Sequence, residues 1–146
     1  MEKVLELANL CVASLRALYL IETQCHWLTR GTGFYGDHLL FERLYKQSQD
    51  DADAMAERVI GLFGEKAVDM GSQADYLSKL LHKYQGDDYH ELALKMEQDF
   101  LEFAQQVFDA FEAEDVLSLG LNDLLATIAD SHETAVYLLQ QALDEE

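Results

Sequence analysis

Apolar residues recur at helical spacing over most of this 146-residue chain, and no proline interrupts them. From Glu2 onward, Leu5, Ala8, Val12 and Leu15 follow one another at intervals of three or four residues. This interval is typical of the apolar face of an α-helix. No segment shows the alternation that indicates a strand. The pattern predicts four long helices at about 2–29, 35–63, 88–114 and 122–143, and a short helix at 73–84.

Glycines and capping residues mark the predicted helix ends. The Arg30–Phe34 segment, with two glycines, suits a tight turn, and Gly64 closes the second helix. Ser72 can cap the short helix, and Asp87 or Asp88 the third long helix. The sequence therefore predicts an all-α, four-helix bundle with a short extra helix between the second and third long helices. We expect one domain over residues 1–146.

Charge restricts the partners of this chain. It has 28 acidic residues against 10 Lys plus Arg, which gives a formal net charge of -18. Such a polyanion repels DNA phosphates and acidic lipids, and attracts metal cations. The chain has no run of eighteen apolar residues and no basic leader pattern, so we expect a soluble cytoplasmic protein without a membrane span.

The two cysteines fall on the first predicted helix. Cys11 and Cys25 are fourteen residues apart, or about 21 Å along a helix, which is beyond the reach of a disulfide. We expect two reduced thiols. Because Cys25 precedes His26, metal ligation or oxidation is the alternative for that thiol.

A stripe of potential metal ligands follows one side of the second helix. With His38 at 0°, Glu42, Asp53 and Glu57 point to about 40°, 60° and 100°, and Tyr45 lies in the same sector. Imidazole and carboxylate donors together suit ferrous iron, manganese or zinc.

These ligands cannot meet at one ion within a single helix, because Glu42 and Asp53 are separated by about 17 Å. An antiparallel copy of the helix in a partner chain, centred near residues 47 and 48, would solve this. It would place His38 and Glu42 against Asp53 and Glu57 of the partner. A two-fold dimer would then contain two identical sites. His26 supports this hypothesis, because it and His38 each lie six residues from Thr32, the centre of the predicted turn.

These residues resemble the ferroxidase signature of the Dps miniferritins (DNA-binding proteins from starved cells). The resemblance covers nearly the whole chain, including the short helix and the Gly33–Phe34 turn. Its motif consists of His26-Trp27, His38, Glu42, Asp53 and Glu57-Arg58.

The resemblance implies a ferritin-like fold assembled into a hollow dodecamer. Such a shell oxidises ferrous iron, preferably with hydrogen peroxide, stores the ferric mineral and protects against oxidative stress. It also implies a site between two-fold-related subunits, with His26, His38 and Glu42 from one chain and Asp53 and Glu57 from the other. Glu57 would bridge two irons, and Zn²⁺ or Mn²⁺ are alternative occupants.

Further roles follow from the resemblance. Trp27 and Tyr45 are candidates for quenching stray oxidants, with aromatic packing as the alternative. Acids near the start of the last helix line an iron-entry pore in this family, which makes Asp123, Asp130 and Glu133 candidates.

His132 lies between two of these acids in the sequence. We expect a solvated position for it, with a place on the cation pathway as the alternative.

Two features depart from the family pattern. Aspartate is usual where this chain has Glu42, and the extra methylene changes how far the carboxylate reaches. DNA binding in the family depends on a lysine-rich tail, whereas Lys3 is the only early base here. Twelve chains at -18 each carry about -216, so we expect no direct DNA binding.

Two other functions remain open from sequence. One is sequestration of zinc or manganese without redox turnover, and the other is a structural or signalling bundle whose ligand stripe only stabilises a dimer. The later helices contain no Glu-x-x-His pair, so a di-iron site within one subunit is not supported.

Overall fold

The structure, a computed structural model, describes residues 1–144; residues 145 and 146 of the predicted domain lie outside the described part. Over that part the chain is helical and contains no strand. A single 3-10 turn, Glu65–Ala67, follows the second helix. The helices are α1 (Glu2–Leu28), α2 (Phe34–Phe63), α3 (Met70–Lys83), α4 (Tyr89–Ala113) and α5 (Leu119–Leu143). The predicted four long helices and the short extra helix are confirmed.

Two helical hairpins form the bundle. The α1–α2 hairpin packs against the α4–α5 hairpin, and α3 lies within the crossover between them and packs on α1. Leu15, Leu18, Phe41, Phe111 and Leu121 are among the fully buried side chains between these layers. Burying such a side chain stabilises a fold by roughly 1.5–3 kcal/mol, so the apolar stripes of the long helices hold the hairpins together.

Three helix starts test the predicted caps. Asp88 caps α4, as predicted, by accepting a hydrogen bond from the Glu91 backbone N–H at 3.2 Å. The prediction for α3 was wrong by three residues, because Asp69 is the cap and Ser72 donates its backbone N–H to the Asp69 carboxylate. Helix α5 also begins three residues earlier than predicted, after Ser118.

Helix α1 is long and apolar enough to cross a membrane by length and composition alone. In this fold, 56% of its most apolar stretch is buried inside the bundle. The stretch is apolar on nearly every side because α1 contacts α2, α3 and α4. Its composition is therefore accounted for by a central position in the core.

Ser118 provides a test of the α5 boundary. Its hydroxyl accepts a hydrogen bond from the Leu121 backbone N–H at 3.0 Å. We expect Ser118→Ala to lower the free energy of unfolding by about 1 kcal/mol, because the replacement leaves that N–H without its cap. Urea unfolding followed by far-UV circular dichroism, at a fixed protein concentration, measures the change. Ser118→Asn restores an acceptor and should match the wild type; equal loss in both variants would contradict the assignment.

Candidate functional site

The two histidines of the predicted site face each other across the α1–α2 turn. His26 lies in the last turn of α1, and His38 lies in the second turn of α2. Gly31 and Gly33 have φ angles of 90° and 82°, a conformation that glycine adopts without steric cost. The turn brings the two imidazole rings to a stacked arrangement with centroids 3.7 Å apart and planes inclined by 19°. The predicted pairing of these residues is confirmed.

Reciprocal hydrogen bonds fix the orientation of both rings. The Nδ1 of His26 lies 2.8 Å from the carbonyl oxygen of His38, and the Nδ1 of His38 lies 2.9 Å from that of His26. Because a carbonyl only accepts, each Nδ1 carries the proton and donates it. Each Nε2 of a neutral ring is then left with a lone pair, which is the state of a histidine ready to ligate a metal.

Aromatic rings surround the histidine pair. Phe34 stacks on His38 with a centroid separation of 5.0 Å, and the rings of Tyr45 and His26 have centroids 5.2 Å apart and planes inclined by 68°. Tyr19 continues this contact, with its ring 5.9 Å from that of Tyr45. Sequence reasoning missed Phe34 and Tyr19. Their spacing was informative, since Phe34 lies one helical turn before His38, and Tyr19 lies two turns before His26.

Glu42 lies one helical turn after His38 and is held by a lysine. Its carboxylate accepts a hydrogen bond from the Lys46 ammonium at 2.8 Å. This contact is the main reason that the pKa of the Glu42 carboxyl is lowered, and the nearby His26 and His38 add to the effect. Glu42 is therefore an ionised oxygen donor beside the histidine pair. Sequence analysis did not anticipate Lys46.

Asp53 and Glu57 lie on the opposite half of α2, and both are exposed. Asp53 lines a separate cavity of about 380 Å³ with Arg16, Tyr19 and Gln49. Among residues 1–144, no three His, Cys, Asp or Glu side chains converge closely enough to form a ready-made metal site. One chain thus has His26, His38 and Glu42 near the α1–α2 turn and Asp53 and Glu57 on the other half of α2, so a site that uses all five residues stays a prediction.

The remaining candidates are exposed. Trp27 is 71% exposed and lines a surface groove with Gln24 and His82. The three pore candidates, Asp123, Asp130 and Glu133, all lie on α5 with exposed side chains. Their roles in oxidant quenching and iron entry stay predictions.

The expectation of a solvated His132 was wrong, because its ring is only 1% exposed. His132 belongs to an interior cluster that sequence analysis missed, and all its members are buried polar side chains. The cluster consists of Glu22, Ser48, Asp51, Glu97 and His132. The signal was present in the spacing: His132 falls in the buried series Leu125, Ile128, Ala135 and Leu139.

Cys25 is a buried structural thiol. Its Sγ lies 3.8 Å from the backbone carbonyl oxygen of Tyr89. Burial, helped by the nearby Glu22 carboxyl, raises the pKa of the Cys25 thiol to about 12, and burial does the same for Cys11. Both cysteines are free, as expected. Because metal ligation requires a thiolate, the structure favours a packing role for Cys25.

The chain is similar in sequence to known proteins. A family model described as "Ferritin-like domain" matches residues 5–146. A "DNA protection during starvation protein" of Brevibacillus brevis is 28% identical over 139 residues, which cover 94% of this chain and 93% of that protein.

Solved structures share the fold. Dps from Thermosynechococcus elongatus superposes with a TM-score of 0.83 and 26% identity, covering 99% of this chain and 92% of that one. A Vibrio cholerae O1 DPS protein, described as a member of a superfamily of ferritin-like diiron-carboxylate proteins, has a TM-score of 0.55 and 22% identity. This match covers 98% of this chain and 90% of that one.

The raised pKa of both thiols predicts their reactivity. At mildly alkaline pH, we expect Cys11 and Cys25 in the native protein to react with Ellman's reagent at least about 10-fold more slowly than after unfolding, because few thiolates form in the core. Absorbance of the released thionitrobenzoate follows the reaction. The Cys11→Ala variant isolates Cys25, and immediate reaction of that single thiol would contradict its burial.

Proposed function

Because this chain belongs to the ferritin-like domain family as a Dps-type miniferritin, we propose that it oxidises ferrous iron with hydrogen peroxide and stores the ferric product. Membership of this family associates the chain with iron storage and protection against stress. The proposal specifies the oxidant, the position of the iron sites and the residues that form them. It also includes assembly into a hollow dodecamer in the cytoplasm.

The observation that carries the proposal is the half-site at the α1–α2 turn. It presents two imidazole Nε2 lone pairs and the Glu42 carboxylate, a donor set that suits ferrous iron. These three donors leave coordination positions open for ligands from elsewhere. Asp53 and Glu57 supply carboxylates of the kind that stabilise ferric iron, but they lie about 17 Å or more along α2 from Glu42.

A two-fold axis near the middle of α2 would complete both halves. Pairing His38 with Glu57, and Glu42 with Asp53, requires a single midpoint between residues 47 and 48. Tyr35 and Ile60 share this midpoint and the same helix face, and they are 70% and 37% exposed. An antiparallel α2 of a second chain would bury these apolar side chains against each other. The apolar contacts and the metal ligands therefore require the same geometry.

In the completed site, two ferrous ions would each give one electron to one peroxide molecule. The two electrons break the O–O bond without releasing a hydroxyl radical. Glu57 of the second chain would bridge the two ions, and His26 and His38 would each bind one of them. The fixed rings require little reorganisation when iron arrives, because their Nδ1 atoms are already held by the backbone.

Lys46 has a consequence for iron binding. Its ammonium donates a hydrogen bond to one oxygen of the Glu42 carboxylate, so a ferrous ion that uses this oxygen must displace it. Glutamate is one methylene longer than the usual aspartate. Its carboxylate can therefore bind either Lys46 or the metal. We propose that Glu42 ligates iron directly after this exchange.

Two aromatic groups are candidates for protecting the protein from stray oxidants. Tyr45 contacts His26 at 5.2 Å and connects to Tyr19, so an electron has a short path to the site. Trp27 is the exposed alternative.

Incoming iron would be attracted by Asp123, Asp130 and Glu133 at the proposed pore.

A Glu57→Gln variant tests the proposed iron oxidation and iron storage in one experiment. With repeated additions of ferrous iron and stoichiometric peroxide, we expect the wild type to retain far more than two ferric ions per chain. Glu57→Gln should lower the initial oxidation rate by at least about 10-fold, because the bridging charge is lost. Absorbance of the ferric product and elemental analysis measure both effects.

Glu112→Gln is the matched control for this experiment, since Glu112 is an exposed acid at the end of α4. It should behave as the wild type, and size-exclusion chromatography checks that all variants assemble. Retention of no more than two ions per chain by the wild type would favour metal sequestration. Equal rates for Glu57→Gln and the wild type would contradict the assigned site.

The net charge predicts the behaviour of the assembly toward DNA. At -18 per chain, a shell repels the phosphate backbone, so we expect no discrete complex with duplex DNA at physiological salt. A gel-shift titration in the absence of magnesium measures this. A discrete shifted band at physiological salt would contradict the prediction.

A further inference from the structure

The start of helix α4 contacts both sides of the α1–α2 turn. Its first two residues are Tyr89 and His90. The Cys25 thiol of α1 donates a weak hydrogen bond to the Tyr89 carbonyl oxygen, with Sγ and O 3.8 Å apart. On the other side, Nε2 of His90 lies 3.1 Å from Oδ1 of Asp37 in α2. In the sequence, each of these two partners of α4 stands directly before one of the two histidines of the half-site.

The bond between His90 and Asp37 joins two helices that lie diagonally across the bundle, since α2 and α4 each pack on α1 and α5. Within residues 1–144 it is the one hydrogen bond between side chains of α2 and α4. Because a carboxylate oxygen accepts, Nε2 of His90 carries the proton and donates it. The two side chains are only 18% and 29% exposed, so the bond is partly shielded from water.

Packing and capping hold His90 in this position. Its ring lies 5.1 Å from the ring of Phe41, which is fully buried and follows Asp37 by one helical turn. The first turn of α4 is held in turn by its cap, because the Asp88 carboxylate accepts a hydrogen bond from the Glu91 backbone N–H. His90 therefore contacts two successive turns of α2 from a capped helix end.

The histidine pair of the half-site depends on support from outside the hairpin. His26 and His38 fix each other through their reciprocal hydrogen bonds, but these bonds do not fix the pair relative to the rest of the bundle. The turn that joins them is exposed over residues 30–33 and contains two glycines with positive φ angles. A displacement of about 1 Å at a reacting group can cost roughly 100-fold in rate. The contacts with α4 therefore matter for the position of both imidazoles.

We propose that His90 is a positioning residue of the iron site. By binding Asp37 from α4, it holds the start of α2, and with it the imidazole of His38, in the position that metal binding requires. This inference rests on the proposed ferroxidase function and adds to its site a residue that is not a ligand. Without the bond, the two imidazoles stay paired with each other but shift together. Metal binding then weakens, because the ligands are no longer preorganised.

Two substitutions of His90 separate the hydrogen bond from the packing. His90→Phe keeps a ring of similar size against Phe41 and removes the donor to Asp37. His90→Gln places an amide N–H at about the same distance from the backbone, so it restores the donor. We expect His90→Gln to behave as the wild type and His90→Phe to show the effects of a displaced half-site.

Tyr84→Phe is the matched control for a purely structural role. The Tyr84 hydroxyl donates a hydrogen bond to the Asp99 carboxylate and so joins the end of α3 to α4. Like the bond of His90, this bond is partly buried and ends on a carboxylate, but neither residue belongs to the proposed iron site. Urea unfolding establishes that Tyr84→Phe and His90→Phe lose comparable stability.

Crystal structures of the metal-free proteins give the first measurement. With α4 and α5 superposed, we expect the imidazole pair of His26 and His38 to be displaced by at least about 0.5 Å in His90→Phe, the tolerance within which a functional site is usually held. The pair should keep its place in His90→Gln and Tyr84→Phe. This measurement requires neither bound metal nor iron oxidation.

Binding of Co²⁺, which keeps its oxidation state here because no oxidant is added, gives the second measurement. By isothermal titration, we expect the dissociation constant of Co²⁺ to rise at least about 3-fold in His90→Phe, somewhat less than is usual for the direct partner of a ligand. In ferrous oxidation, the same variant should raise KM more than it lowers kcat, because saturating iron compensates for weaker binding.

An unchanged position of the imidazole pair in His90→Phe would overturn the proposal. So would a rise in the Co²⁺ dissociation constant that Tyr84→Phe shares, because loss of stability would then be the cause. If the wild type neither binds Co²⁺ nor oxidises ferrous iron, the proposed function fails, whereas the crystal structures still decide whether His90 positions the two imidazoles.

Discussion

The rise of 1.5 Å per residue along a helix is the constraint on which the proposed iron chemistry depends. It keeps Glu42 and Asp53 about 17 Å apart on α2, so no side-chain movement within one chain can bring both to the same ion. The α1–α2 turn supplies part of the ligand set, because it brings the imidazole of His26 next to that of His38. In the proposed site the other half comes from outside the chain, and an antiparallel second α2 is the simplest source.

Rigidity at the half-site comes from the backbone. Each histidine donates its Nδ1 proton to the carbonyl oxygen of the other residue, so the two rings fix each other across the hairpin. This arrangement needs the positive φ angles of Gly31 and Gly33 in the turn. By contrast, Glu42 is held by a flexible lysine. The site therefore combines two fixed nitrogen donors with one carboxylate that can exchange its partner.

Much of the fold could be predicted from the sequence. Apolar spacing and glycine breaks identified all five helices, and the boundaries were wrong only where capping residues competed, as with Asp69 and Ser72. The pairing of His26 with His38 was also accessible, because both lie at equal distances from the turn. The tautomers of the two histidines could not be predicted from the sequence. They depend on backbone carbonyl oxygens that only the folded hairpin brings within hydrogen-bond distance.

The interior cluster was missed for a different reason. Glu22, Glu97 and His132 occupy core positions of their helices, but polar residues at such positions break the apolar pattern and are assigned to a solvated face. His132 is also flanked by the exposed Asp130 and Glu133. Only the packing of four helices shows that these polar groups hydrogen-bond one another in the core.

The most direct test of the central claim is whether two inactive chains restore each other's activity. One chain carries His26→Ala and His38→Ala, and the other carries Asp53→Ala and Glu57→Ala. In a mixed dimer, one of the two sites has only wild-type residues. After unfolding and joint refolding, we expect ferrous oxidation to recover to about a quarter of the wild-type rate, as random pairing of an isologous dimer requires. No recovery in mixed assemblies of correct size would contradict a site shared between subunits.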